Sequence, residues 1–192
     1  MEMIFLLIRH GVTDWNIDHR LQGREDIPLN AEGIAQAESA GKALQNLPIK
    51  TIITSPLSRA RKTGEIVASY TGSTVFSEPD LTERDFGNLS GKIPKDIFDP
   101  GENETLEPLD DVSRRFMAVL ERYSGEDLVA AVSHGGAINA VLRTVSGGKT
   151  GSGKIRLHNG GISVLGYDGK SFSIIKENIP AGSFREEWDK IK

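Results

Sequence analysis

The sequence predicts a three-layer α/β domain, a mostly parallel sheet with helices on both faces and one antiparallel edge strand. Three observations predict it. Short β-branched or leucine-rich runs recur at Met3–Ile8, Thr51–Thr54, Thr74–Phe76 and Leu128–Val132. Most are followed by stretches whose apolar residues return every three or four positions, and that alternation is the pattern of βαβ units. Near the end, Gly161–Gly166 and Phe172–Ile175 flank Tyr167-Asp168-Gly169-Lys170, whose Asp-Gly pair signals a hairpin turn and an antiparallel strand at one edge.

After the first strand run, Asn30 is a helix N-cap, and the following segment sets Ile34, Ala37, Gly41, Leu44 and Leu47 on one helical face. Ser55-Pro56 reads as the start of the next helix, serine capping and proline in the first turn. Between residues 84 and 106 the periodicity breaks into Gly-, Pro- and Asn-rich sequence, read as a short cap-like insertion over the sheet's end. From Leu109 the apolar positions Val112, Phe116, Val119 or Leu120 and Tyr123 form a second helical face. Gly135-Gly136 opens the apolar helical run Ala137–Val145. With no linker or internal repeat, residues 1–192 are expected to form one domain.

Composition excludes whole classes of chemistry. There is no cysteine, so disulfides, thiolate metal sites and a cysteine nucleophile play no part. A net charge of −4 argues against a nucleic-acid surface, which would need a broad basic face. Met3–Ile8 is too short for a signal core and runs directly into Arg9 and His10, so it reads as a buried strand. No stretch approaches the roughly 18 to 20 apolar residues of a membrane span, and a cytoplasmic protein without a membrane anchor is expected. The sequence leaves oligomeric state open, a homo-oligomer included.

In open parallel sheets ligands bind at the carboxyl ends of the strands, so the residues just after each strand are informative. They are Arg9 and His10 after the first, Ser55, Ser58 and Arg59 after the second, and Ser133, His134 and Gly135 after Leu128–Val132. Two arginines and two histidines would converge on one edge. Arg59 stands in the first turn of a helix, where a cation opposes the dipole by about 0.3–1 kcal/mol, and Arg61 and Lys62 add to that cost. A bound anion would reverse the sign. A lone arginine there would simply reach solvent, and a lone histidine would be structural; the convergence favours an anion site. The histidine pair lacks a third metal ligand, since His19 and His158 lie in loops without ligand spacing. A histidine among cations is suited to be a nucleophile, because the positive field keeps it neutral while attracting phosphate.

Leu7-Ile8-Arg9-His10-Gly11-Val12-Thr13-Asp14-Trp15-Asn16 resembles, almost residue for residue, the signature of the histidine phosphatase superfamily, which includes the cofactor-dependent phosphoglycerate mutases. It is joined in the family's order by Leu21-Gln22-Gly23, Asp26-Ile27-Pro28-Leu29-Asn30, Thr54–Ala60, Leu81–Gly87 and Ser133-His134-Gly135-Gly136. The resemblance implies that His10 forms a phosphohistidine while Arg9, Arg59 and His134 hold the phosphoryl group. It implies further phosphate contacts from Asn16, Gln22 and Gly23 and a backbone donor at Gly135. Glu83 is implied as the general acid that protonates the leaving alkoxide and then activates water. On this reading fixed cations do what magnesium does elsewhere, no metal or other cofactor is required, and the partners are small phosphorylated metabolites.

Gly148-Lys149-Thr150-Gly151-Ser152-Gly153-Lys154 has the spacing of a nucleotide-binding loop, but Ile155 stands where Ser or Thr would bind magnesium, and a helix precedes it where a strand should. It is expected to be a loop, its lysines available to attract phosphates. Within the family, a short insertion and an end soon after the final strand favour water as acceptor over a shielded mutase site. The resemblance is strongest to broad-specificity bacterial phosphatases, with α-ribazole phosphatase or phosphoserine phosphatase as narrower readings. Phosphoglycerate mutase is the alternative, and a non-catalytic phosphate-binding or interaction module the second. Lys92 and Lys95 could meet an acidic substrate, and Ile93, Ile97 and Phe98 an apolar one.

Overall fold

A computed structural model describes residues 3–93 and 106–191. The elements run β1 (Met3–Arg9), α1 (Asp14–Ile17), α2 (Ala31–Leu44), β2 (Thr51–Thr54), α3 (Ser58–Thr71), β3 (Thr74–Ser77), α4 (Leu109–Arg122), β4 (Leu128–Ser133), α5 (Gly135–Val145), β5 (Ile162–Tyr167), β6 (Phe172–Ile179) and α6 (Phe184–Ile191). The strands form a six-stranded sheet in the order β3-β2-β4-β1-β5-β6. The first four pair in parallel, β5 runs antiparallel to β1, and β6 runs antiparallel to β5 at the edge.

The continuous burial of β2 and β4 follows from this position, because a central parallel strand is covered on both faces. Side chains alternate across the sheet. Phe5 and Leu7 of β1, with Val129 and Ala131 of β4, pack under Val112, Phe116, Val119 and Leu120 of α4 and Ile138 and Val141 of α5. Leu6, Ile8, Ala130 and Val132 face the other way, against Ala40 and Leu44 of α2, Ala60 and Val67 of α3, and Phe184 and Trp188 of α6. The two apolar layers are thus sealed by helices on both faces, as the sequence predicts.

Three local expectations need correction. Ile34 is exposed and Leu47 lies beyond the end of α2; the buried face is instead Gly33, Ala37, Ala40, Gly41, Ala43 and Leu44. Small residues win that face because α2 approaches α3 closely: a Cβ on Gly41 would stand 2.4 Å from the Tyr70 ring. Ser55 is not the N-cap of α3, whose first residue is Ser58 and whose N-cap is Leu57: its Oγ meets His134 Nε2 at 2.8 Å and accepts the Leu57 N–H at 3.2 Å, while Asp26 Oδ1 accepts the Ser58 N–H at 2.7 Å. The helix start thus already carries one carboxylate of the protein. α6, unread in the sequence, follows the last strand and lies against α2 and β6. Of the predicted insertion, residues 84–93 are described and include a short 3-10 turn at Gly87–Leu89, while Lys95, Ile97 and Phe98 lie outside the described residues. The Gly/Lys stretch 148–154 follows α5 as turns, with Gly148, Gly151 and Gly153 at positive φ. No helix among the described residues is long and apolar enough to cross a membrane.

Candidate active site

The strand order does the assembling. β1 lies between β4 and β5, and β4 lies between β1 and β2, with Arg9 in register with Ser133 and Thr54 with Val132. The residues that follow each strand are therefore neighbours: the His10 N–H donates to the Ser133 carbonyl at 3.0 Å, and the Ser55 N–H to that of Val132 at 3.0 Å. Above them opens a cavity of about 610 Å³ whose wall includes Arg9, His10, Asn16, Gln22, Arg59, Glu83 and Gly135.

His10 is 3% exposed. Its Nδ1 stands 2.6 Å from the Gly11 carbonyl, an acceptor only, so Nδ1 carries the proton and Nε2 the lone pair. Nε2 has no partner among the described residues. Burial, then the charges of Arg59 and Arg9, hold the ring's pKa well below 6.5, so it is neutral at physiological pH. Burial likewise pulls the Arg9 guanidinium down to about 10. Arg9 donates Nη1 to the Leu157 carbonyl at 2.5 Å, while its Nε is buried without a partner among the described residues.

Arg59, fully buried, spends its fork on the protein: Nη1 to the Glu25 carbonyl at 2.7 Å, Nη2 to the Gly23 carbonyl at 2.8 Å and Nε to His134 Nδ1 at 3.2 Å. Because arginine only donates, His134 Nδ1 is unprotonated and its Nε2–H turns to Ser55 Oγ at 2.8 Å. His134 is also held neutral, by burial and then by Arg59. Its ring centroid lies 5.1 Å from that of His10, yet it is fully buried and stands behind Arg59 rather than in the cavity wall. Gly23 is likewise behind the wall, offering its carbonyl to Arg59 at a φ of 52°.

Glu83 sits where the chain leaves the 3-10 turn Pro79–Leu81 and reaches the start of α5. Its carboxyl accepts the N–H groups of Gly136 at 3.0 Å, Ala137 at 2.8 Å and Arg84 at 2.8 Å. The positive end of α5 thus holds a carboxyl group beside Arg9 and Arg59. The two glycines there are demanded by contact: a Cβ on Gly136 would lie 2.6 Å from Glu83 Oε1, and one on Gly135 3.2 Å from Arg9 Nε.

A model of the histidine phosphatase superfamily (branch 1) matches residues 5–180. The chain belongs to this superfamily. The uncharacterized phosphatase PhoE of Bacillus subtilis (strain 168) is 35% identical over 181 residues, 90% of this chain and 93% of the relative. A Klebsiella pneumoniae (strain 342) protein named "Probable phosphoglycerate mutase GpmB" is 35% identical over 181 residues, 84% of this chain and 83% of its own. Among solved structures, a mycobacterial glucosyl-3-phosphoglycerate phosphatase complexed with VO3 superposes with a TM-score of 0.79 at 25% identity, covering 91% of this chain and 97% of that one. Mycobacterial hydrolase 1 shares the fold, with a TM-score of 0.84 at 22% identity over 94% of this chain and 100% of its own.

The remaining wall of this histidine phosphatase is built by polar support. Asn16 completes a capping box with Thr13 at α1, its Oδ1 accepting the Thr13 N–H at 3.1 Å and Asn159 Nδ2 at 3.3 Å. That fixes the amide with its NH2 uncommitted. Gln22 is buried in the wall with Oε1 unpartnered among the described residues. Arg156, Leu157, Asn139 and Asn159 were not anticipated. Arg156 lines the mouth, exposed, with no ion-pair or hydrogen-bond partner for its side chain among the described residues, and Asn159 Nδ2 also binds the His10 carbonyl at 3.0 Å. Ile93 lines the cavity, while Lys92, Lys149 and Lys154 do not. Among the described residues no three His, Asp or Glu side chains cluster as a metal ion would require.

Proposed function

We propose that this chain hydrolyses small phosphomonoesters through a phosphohistidine on His10. His10 Nε2 attacks phosphorus, the ester P–O bond breaks, and the Glu83 carboxyl gives its proton to the leaving alkoxide. Glu83, now a carboxylate, takes a proton from water whose oxygen attacks the phosphohistidine; the N–P bond breaks, inorganic phosphate leaves, and Glu83 is protonated again. The observation that carries this reading is the tautomer of His10, with Nδ1–H locked on a carbonyl and Nε2 bare at the cavity between two guanidinium groups.

Arg9, through its guanidinium, and Asn16, through its NH2, are the donors for the phosphoryl oxygens. Arg59 supplies fixed charge and His134 holds it in place through Nδ1. Stabilising spread charge with guanidinium groups asks nothing of a metal, and the proposed reaction includes none. Water is favoured over a second phosphoglycerate as acceptor because α6 packs on α2 and β6 and lends no residue to the cavity wall.

Phosphate release from a panel of phosphomonoesters in excess chelator, for wild type and His10→Ala, tests the proposal. Chelator-resistant hydrolysis abolished by the substitution is expected. Activity that survives without His10, or that vanishes with chelator, would overturn the mechanism, and isomerisation of 3-phosphoglycerate primed with its bisphosphate, without net hydrolysis, would make the chain a mutase.

A further inference from the structure

A general acid works only where it is held, and the group that holds Glu83 lies outside the cavity. Arg115, in the middle of α4, uses all five of its N–H donors. Nε binds Glu107 Oε1 at 2.8 Å and Nη2 binds Glu107 Oε2 at 3.1 Å, a two-point pairing. The other Nη2 proton goes to the Glu83 carbonyl at 3.1 Å, and Nη1 reaches the carbonyls of Thr82 at 2.8 Å and Asp80 at 2.5 Å. Glu107 closes the frame from the far side. Its Oε2 accepts the Asp85 N–H at 2.9 Å, its carbonyl accepts Arg84 Nε at 2.7 Å, and its N–H donates to the Asp85 carbonyl at 3.0 Å. Both partners are largely buried, at 15% and 14% side-chain exposure, so solvent does little to loosen them. Burial disfavours the charged Glu107, but the bonds from Arg115 and Asp85 outweigh it and hold its pKa low.

Residues 80–85 are therefore pinned through backbone atoms on both sides of Glu83, while the Glu83 carboxyl itself touches neither Arg115 nor Glu107. We propose that Arg115, braced by Glu107, is the positioning residue for Glu83: it fixes the backbone that aims the carboxyl at the leaving oxygen. This rests on Glu83 being the general acid. Lysine cannot replace the planar fork, because a point charge on a flexible stem cannot serve three carbonyls and a carboxylate in fixed directions.

Leaving-group dependence separates positioning from mere structural support. An alkyl phosphate expels a poor alkoxide and needs the proton; p-nitrophenyl phosphate expels a stable phenolate and does not. The ratio is read in kcat/KM, which ends at the first irreversible step and so leaves out hydrolysis of the phosphoenzyme. Glu83→Gln sets the reference, with a large loss on glycerol 3-phosphate and a small one on p-nitrophenyl phosphate. Arg115→Met is expected to follow that pattern, losing about 10- to 100-fold on the alkyl ester and less than about threefold on the aryl ester. Inhibition by inorganic phosphate should stay within about twofold, with Arg115→Lys and Glu107→Gln intermediate. Should Arg115→Met fail to fold, the two milder variants supply the same ratio. Equal losses on both esters, or none, would overturn the positioning role while leaving the general acid intact. An aryl and alkyl loss that is equal in Glu83→Gln itself would overturn the general acid and the proposal with it.

Discussion

At the scale of single residues the site is a set of contacts with no room to spare, and Gly136 shows it best. Its N–H binds Glu83 Oε2, and any Cβ would fall within 2.6 Å of Oε1, closer than real Cβ contacts come. Gly136→Ala must push the carboxyl away from the α5 terminus. Because helical alanine is otherwise favoured over glycine by about 1 kcal/mol, stability should change little while kcat/KM on alkyl phosphates falls at least about tenfold. Unchanged kinetics would mean that the carboxyl is not held for proton transfer. Gly11 is a different case: its Cβ would lie 2.1 Å from the Gly33 carbonyl, backbone that cannot turn aside, so Gly11→Ala is expected to lower stability itself.

At the scale of elements, what could be read in advance followed a rule, and what escaped followed from the rule's limit. Arg9, His10, Arg59, His134 and Gly135 were legible because each ends a parallel strand or closely follows one, and parallel strands end on one edge. Arg156, Leu157 and Asn159 come before β5. An antiparallel strand starts where its neighbours end, so the segment leading into it arrives at that same edge: the Gly160 N–H meets the Arg9 carbonyl at 2.9 Å. Listing the approach to the antiparallel strand would have found these residues. Arg115 and Glu107 escaped for another reason. They act through backbone carbonyls, which leave no mark in a sequence. The start of α3 was misread because Ser55 lies ahead of the N-cap Leu57, and the Ser58 N–H is met by Asp26, 32 residues away from Ser58. Asp26→Ala should therefore destabilise the protein by about 0.5–2 kcal/mol in denaturant unfolding, and Ser55→Ala removes the acceptor of the Leu57 N–H as well as the partner of His134.

At the scale of the whole molecule, the fold holds two neutral histidines in its interior, and folding stability must register them. His10 and His134 both have pKa values held well below 6.5, by burial first and by Arg59 next. In the unfolded chain each titrates near 6.5. Below that pH the unfolded state binds protons that the folded state refuses, so stability is full above it and falls as pH drops. The slope for two such groups is up to about 2.7 kcal/mol per pH unit, continuing down to the depressed folded pKa values. Denaturant unfolding at pH 7, 6 and 5 measures it, and His10→Asn should remove about half. The same burial makes an independent kinetic demand: since His10 stays neutral in the folded enzyme, kcat/KM should show no fall attributable to its protonation between pH 7 and 5.5. The stability slope and the flat rate have one cause, a desolvated imidazole beside fixed guanidinium charge. A flat stability profile with a rate that falls near pH 6.5 would mean that His10 is solvated and protonated in the folded protein, and that the cations around it do not keep its Nε2 free.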